Sequence, residues 1–288
     1  MTASKVFYAD DDARLLTGDA LERLTELPDA SVQTAVTSPP YFGLRDYGHP
    51  GQYGRESSVE TYVARLTAVF DEVRRVLADD GTLWLNLGDS YGPGKQLMGV
   101  PWRVAFALQD AGWVLRNSIV WHKPNAMPSN VKDRMGVRHE NIFMFSKSPR
   151  YYFDLDAVRV QYTGDRKLSR RVHKTANKAN TARGVWGVDE AKVARGSNPG
   201  DVWSISTRPY PAAHFATFPV DIPDRCIKAS TRPGDTVLDP FSGSGTTGMA
   251  ALRLGRRYVG IDLQAKYHEL AMDRMGLSAH CTDFEESA

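Results

Sequence analysis

Apolar positions along the chain switch repeatedly between short continuous runs and three- or four-residue spacing, the pattern of an α/β domain built on a largely parallel sheet. Val32 to Thr37 is a β-prone run and reads as a buried strand. Beyond a loop rich in Gly and Tyr, Ser57 or Ser58 can cap a helix carrying Val59, Tyr62, Val63, Leu66, Val69, Phe70, Val73, Val76 and Leu77 on one face, with Gly81 as its stop. Thr82 to Leu87 is the next strand, Trp102 to Leu108 a second amphipathic helix ended near Gly112, and Trp113 to Trp121 a third strand. Arg138 to Tyr152, with Ser-Lys-Ser-Pro at its middle, reads as an antiparallel pair. From about 154 to 212 the alternation fades, and a separate lobe is expected there, dividing the chain into 1–153, 154–212 and 213–288. Regular patterning returns with a helix near Ile222 to Ala229, the strand Thr236 to Leu238, a helix from Thr246 to Leu254, the strand Arg257 to Ile261 and a helix from Ala265 to Met275. No internal repeat or low-complexity tract interrupts it.

The 288 residues, 42% of them apolar, are enough for a large buried core. Cys226 and Cys281 are too few for a disulfide scaffold or a four-cysteine zinc site, and a reducing setting is expected. Asp10, Asp11 and Asp12 stand where a signal peptide would need an apolar core, and no run is long enough to span a bilayer, so a soluble, cytoplasmic protein is expected, with no membrane association. The net charge of +2 is uninformative, but its distribution is not: residues 161–200 hold nine basic and three acidic side chains, a local balance of +6.

Two segments carry chemistry. Asp239-Pro240-Phe241-Ser242-Gly243-Ser244-Gly245-Thr246-Thr247 places a glycine-rich turn between a strand end and a helix start, where ligands of open α/β sheets bind. Gly243 and Gly245 permit close backbone approach, and the helix amino terminus offers unpaired N–H groups. Asp262 follows the next strand at the spacing where an acid accepts hydrogen bonds from ribose hydroxyls. Gly243, Gly245 and Gly248 also fit the dinucleotide spacing, a weak match by itself. The segment from Gly88 to Lys95 has one residue too many for a phosphate-binding loop, and Gln96 stands where Ser or Thr is needed, which excludes nucleoside triphosphate hydrolysis. The second segment, Thr37-Ser38-Pro39-Pro40-Tyr41, ends a predicted strand with a hydroxyl, two prolines that free carbonyls, and an aromatic face, a site suited to a planar group bearing an amine.

Taken together, these segments resemble the amino-methylating DNA methyltransferases that use S-adenosylmethionine, a resemblance covering most of the chain. It implies a Rossmann-like methyltransferase fold with a mostly parallel twisted sheet, circularly permuted, plus a small basic target-recognition lobe. Asp239, Pro240, Phe241, Ser242, Gly243, Ser244, Gly245, Thr246 and Thr247 look like the family's cofactor loop and Asp262 like its ribose-binding acid. Asp19, in Leu16-Thr17-Gly18-Asp19, is similar to the acid that contacts the cofactor adenine, and Phe218, in the segment from His214 to Pro219, to the residues cupping its methionine end. Ser38, Pro39, Pro40 and Tyr41 resemble the catalytic motif. Because this motif precedes the basic block and the cofactor loop comes last, the order is that of the permuted β-type enzymes, and double-stranded DNA is the implied partner. Arg166, Lys167, Arg170, Arg171 and Lys174 then become expected phosphate contacts.

Within the family, Ser38 in place of Asp resembles the enzymes that methylate cytosine N4, with adenine N6 as the alternative. The implied mechanism is base flipping, with Tyr41 stacked on the extruded base and the Ser38 hydroxyl and Pro39 carbonyl hydrogen-bonded to its amine. Lys123, Asn125 and Ser129 resemble a loop lining the target-base side, and His139-Glu140 on the following strand is placed to contact the flipped base. Neither cysteine has the context of the thiolate that attacks the cytosine ring carbon, the histidines are scattered, and no metal site is expected. More distant alternatives are an RNA methyltransferase, a DNA-binding module without activity, and a dinucleotide-dependent oxidoreductase, which would leave Ser-Pro-Pro-Tyr unexplained. A cognate restriction endonuclease, and monomer against homodimer, stay open.

Overall fold

The computed structural model describes residues 6–161, 195–208 and 218–277. From the amino end the chain runs β1 (Val6–Ala9), β2 (Ala13–Thr17), α1 (Ala20–Leu24), β3 (Val32–Thr37), α2 (Val59–Val76), β4 (Leu77–Leu87), α3 (Val100–Asp110), β5 (Val114–His122), β6 (His139–Ser146), β7 (Val202–Ser204), α4 (Asp221–Ser230), β8 (Thr236–Asp239), α5 (Thr246–Arg253), β9 (Arg257–Asp262) and α6 (Ala265–Met275). Its strands form one sheet in the order β1-β2-β9-β8-β3-β4-β6-β5-β7. The five strands from β2 to β4 in that order are parallel, β1 and β6 run against their neighbours, and β7 joins β5 in parallel.

Both faces of the sheet are buried, and the period-2 alternation of side chains sorts them. Leu16, Ala35, Leu83, Leu85, Phe143, Phe145 and Leu238 pack with α2 and α3 on one face. Their neighbours Leu15, Val36, Trp84, Ile142, Met144 and Val237 pack with α4 and α5 on the other. The helix α2 starts where expected, with Ser58 Oγ accepting the Thr61 N–H at 3.2 Å.

Three expectations change. Gly81 does not stop α2: Leu77 already turns extended (φ −70°, ψ 140°) and pairs with Val32, and the register slips before Thr34 meets Thr82. Glycine is needed at 81 because a Cβ there would lie 2.9 Å from the carbonyl oxygens of Ala78 and Gln33. Arg138 to Tyr152 is not a self-paired hairpin, since β6 is a single strand inserted between β4 and β5 and antiparallel to both. The short β1, antiparallel to β2, is a strand that the hydrophobic pattern does not announce. Finally, part of the interval 154–212 belongs to the main sheet rather than to a separate lobe: β7 pairs with β5, and Trp203 is 4% exposed in the second core. The remaining basic block falls in 162–194, outside the described residues.

β8 and β3 are far apart in sequence but adjacent in the sheet. The chain leaves β3 for α2 on one face and leaves β8 for α5 on the other, so the two connections diverge and open a crevice at the strand ends. A buried carboxylate holds these ends together. Thr37 Oγ1 donates to Asp239 Oδ1 at 2.6 Å, Thr247 Oγ1 donates to Oδ2 at 2.8 Å, and the Phe241 N–H donates to Oδ1 at 3.1 Å. Burial, opposed by these bonds, pushes the Asp239 carboxyl up to about 6.

Replacing Asp239 by Leu strands the Thr37 hydroxyl and the Phe241 N–H in a buried setting and is expected to cost about 3 kcal/mol or more in urea unfolding. Asp239→Asn is expected to cost about 1 kcal/mol or less. Thr247 Oγ1 also lies 3.1 Å from the Val36 carbonyl, so it can turn its proton there and accept from the new amide. Because the folded Asp239 binds its proton more tightly than the unfolded chain does, its contribution is full below about 4 and lost as pH rises through about 6. Wild type should therefore gain stability relative to Asp239→Asn as pH falls across that window.

Candidate active site

The turn between β8 and α5 uses its side chains to build itself. Ser242 Oγ is hydrogen-bonded to Tyr258 Oη at 2.8 Å, Ser244 Oγ and Thr246 Oγ1 both accept from Arg274, and Thr247 serves Asp239. A Cβ on Gly245 would meet the Ala271 Cβ at 2.7 Å and one on Gly248 the Tyr258 ring at 2.6 Å, so these glycines serve helix and sheet packing. Gly243 is different. Its φ is +50°, and a Cβ there would find only the Phe241 carbonyl, 4.0 Å away. The hydroxyls of the turn are thus directed into the fold, and the turn faces the crevice with the backbone at Gly243 and the half-buried Phe241 ring, itself edge-on to Tyr53 at 5.2 Å.

Asp262 stands beside it at the end of β9. Its Oδ2 accepts the Gly243 N–H at 2.9 Å and its Oδ1 the Gln264 N–H at 2.9 Å; burial pushes the carboxyl up to about 6 against those bonds. Asp19, at the end of β2, caps α1 through the Leu21 N–H at 2.9 Å and receives Tyr53 Oη at 3.3 Å, with the Arg65 guanidinium 4.0 Å away. The two acids and Gly243 thus lie along the carboxyl ends of three adjacent parallel strands. Phe218 is half-buried against the second core, and 209–217 lies outside the described residues.

Across the crevice, β3 delivers Ser38, Pro39, Pro40 and Tyr41. The Pro40 carbonyl accepts from Tyr62 Oη at 2.8 Å, while the Pro39 carbonyl accepts no hydrogen bond among the described residues. The Tyr41 ring lies against Gly88, where a Cβ would come within 2.6 Å of it. Its hydroxyl donates to Glu140 Oε2 at 2.6 Å and receives Asn86 Nδ2 at 2.7 Å and Ser38 Oγ at 3.2 Å. Asn86 Nδ2 also reaches Glu140 Oε2 at 2.8 Å and Ser38 Oγ at 3.3 Å, and Glu140 Oε1 is paired with Lys123, whose ammonium sits 4.5 Å above the Trp121 ring. Burial first, then the Glu140 charge, holds the Tyr41 phenol well above its usual range.

Of the other residues proposed to face a nucleic acid, Lys123 is drawn into the site by Glu140. Asn125 closes both ends of its amide on the Thr207 backbone at 2.9 Å and so ties the β5–β6 loop to the segment after β7. Ser129 and His139 are exposed on the loop and at its exit. Arg166, Lys167, Arg170, Arg171 and Lys174 lie outside the described residues. Cys226 is fully buried on α4 with its thiol pushed up by burial, an inert residue; Cys281 lies outside the described residues. The segment from Gly88 to Lys95 backs the Tyr41 ring and starts α3, with Asp89 accepting from the Gly99 and Val100 N–H groups at 3.1 and 3.0 Å.

Sequence reasoning did not single out Asn86, Tyr62 or the ion pair of Glu140 with Lys123. Asn86 did leave a signal, a lone amide in the apolar strand Leu83-Trp84-Leu85-Asn86-Leu87; the ion pair left none, because its members are 17 residues apart, Lys123 just past the end of β5 and Glu140 on β6.

The profile of the N6/N4 DNA methylase family matches residues 32–273. A Type II methyltransferase of Xanthomonas campestris pv. cyanopsidis, M.XycI, is 45% identical over 91% of this chain and 87% of its own length. M.SmaI of Serratia marcescens, also a Type II methyltransferase, is 40% identical over 91% of this chain and 90% of its own. Among solved structures, the cytosine-N4-specific PvuII DNA methyltransferase superposes with a TM-score of 0.72 at 23% identity, covering 94% of this chain and 89% of that one, a likeness of fold. A Thermus thermophilus protein, described as a putative DNA modification methylase and solved with S-adenosyl-L-methionine, matches with a TM-score of 0.62 at 29% identity, covering 92% of this chain and 95% of that one. With the family profile matching residues 32–273 and a relative 45% identical over 91% of the chain, the chain belongs to the N6/N4 DNA methylase family.

Proposed function

We propose that this protein methylates the exocyclic N4 amine of cytosine in a base flipped out of double-stranded DNA, using S-adenosylmethionine. The observation that carries this reading is the meeting, at a single switch point of the sheet, of a Ser-Pro-Pro-Tyr strand end with a glycine turn that keeps open backbone at Gly243. The crevice suits the cofactor: backbone approach at Gly243, a carboxylate at Asp262 with lone pairs left for ribose hydroxyls, a second acid at Asp19 and an aromatic wall at Phe241. When bound there, S-adenosylmethionine supplies an electrophilic methyl group.

The chain's own part is to make a poor nucleophile competent. The lone pair of an aromatic amine is delocalised into the ring, and hydrogen bonds from its N–H groups to Ser38 Oγ and the Pro39 carbonyl oppose that delocalisation and aim the nitrogen. Ser38 is half-buried and Pro39 buried, so these bonds form where water competes weakly. The Tyr41 ring is braced by Gly88 and offers the base an aromatic wall. Serine in place of aspartate supports cytosine over adenine, and the fold likeness to a cytosine-N4-specific enzyme points the same way. The basic side chains between 161 and 200 are the expected phosphate contacts to the duplex.

Three outcomes are expected. Incubating the protein with genomic DNA and isotopically labelled S-adenosylmethionine, then digesting to nucleosides, should yield labelled N4-methylcytosine by mass spectrometry; N6-methyladenine would move the target to adenine, and label in RNA alone would remove DNA as substrate. Asp262→Ala should weaken cofactor binding by calorimetry about tenfold or more, the loss of one or two hydrogen bonds to a charged acceptor. Neutralising Arg170, Arg171 and Lys174 together should lower DNA affinity and reduce the slope of log affinity against log salt by about 3, which an unchanged slope would contradict.

A further inference from the structure

The hydrogen bonds around Ser38 have a direction, and one residue sets it. Glu140, paired with Lys123, presents only acceptors. Tyr41 has one phenolic proton and gives it to Glu140 Oε2 at 2.6 Å, so everything else that touches its oxygen must donate. Asn86 Nδ2 does so at 2.7 Å, an orientation fixed by the same carboxylate, which takes the other amide proton at 2.8 Å. Ser38 Oγ, 3.2 Å from the phenol oxygen, likewise gives its only proton there, and Asn86 Nδ2, a donor 3.3 Å away, leaves it no second acceptor to turn to. What remains on Ser38 is lone pairs.

We infer that Glu140 is a positioning residue that fixes the proton order Ser38 to Tyr41 to Glu140, and thereby presents Ser38 to the flipped base as an acceptor only. The inference rests on the proposed role of Ser38 opposite the target amine. An acceptor-only Ser38 welcomes an N–H and opposes a carbonyl, so Glu140 sets the preference for amino bases over keto bases from behind two other side chains. With an amide at 140 the constraint disappears. The phenol can then turn its proton onto Ser38, whose own proton swings outward to face the incoming N–H with another donor.

The test uses a duplex carrying a site first mapped on genomic DNA that the wild-type protein methylates. Glu140→Gln is expected to lower kcat about a hundredfold while both KM values stay within about twofold, the signature of a lost transition-state interaction. Tyr41→Phe, which keeps the ring but cuts the relay, should show the same split, and adding Glu140→Gln to it should cost nothing more. Wild type should bind a duplex with cytosine at the target more tightly than one with uracil there, and Glu140→Gln should narrow that difference. Losses that multiply in the double variant, or an unchanged preference for cytosine over uracil, would mean that Glu140 serves only packing and the ion pair. Should Glu140→Gln fail to fold, Tyr41→Phe decides alone, because wild-type turnover in that variant overturns the relay. A wild-type protein that labels no DNA would remove the proposed function and this inference with it.

Discussion

The carboxylate of Asp239 is shared by both halves of the site. One oxygen belongs to β3 through Thr37, the residue before Ser38, and the other to the first turn of α5 through Thr247. Its burial is costly, as its raised pKa records, and it is tolerated because three donors converge on it. The consequence is geometric. Ser38 and Gly243 come from segments about 200 residues apart in the chain, yet each is a few bonds from the same rigid anchor, and chemistry across a crevice needs such mutual placement.

A second economy governs the glycine turn. Four hydroxyls there are consumed by Tyr258, Arg274 and Asp239, and two glycines by close packing of α6 and β9. This leaves backbone at Gly243 and the carboxylate of Asp262 to meet a ligand. The turn is rigid because its side chains are spent internally, and a rigid backbone edge loses little entropy on binding.

The opposite wall of the crevice is polar and partly dry. Ser38, Tyr41, Asn86, Glu140 and Lys123 form one connected network contributed by β3, β4, β5 and β6 and their ends. In such surroundings hydrogen bonds polarise one another and unmet groups are costly. Asn86 Oδ1 is the exception, buried with no partner among the described residues.

The periodicity of the sequence was sufficient for most of the framework. The bounds of β3 and α6 coincide with the expected ones, because a run rich in β-branched residues and a helical stripe stopped by Gly276 admit little else. Gly81, β1, β6 and β7 were not legible: where a strand pairs depends on neighbours distant in the chain, and a bulge or an inserted antiparallel strand leaves no local period. The same division holds for the site. Residues whose chemistry depends on consecutive positions, Ser-Pro-Pro-Tyr and the turn after Asp239, could be found in one dimension, since turns and strand ends are built locally. That the turn's hydroxyls face inward, that Asn125 is a tie, and that Glu140 and Lys123 stand behind Tyr41 was decided only by tertiary packing, because each depends on which side chains from separate strands meet once both faces of the sheet are covered.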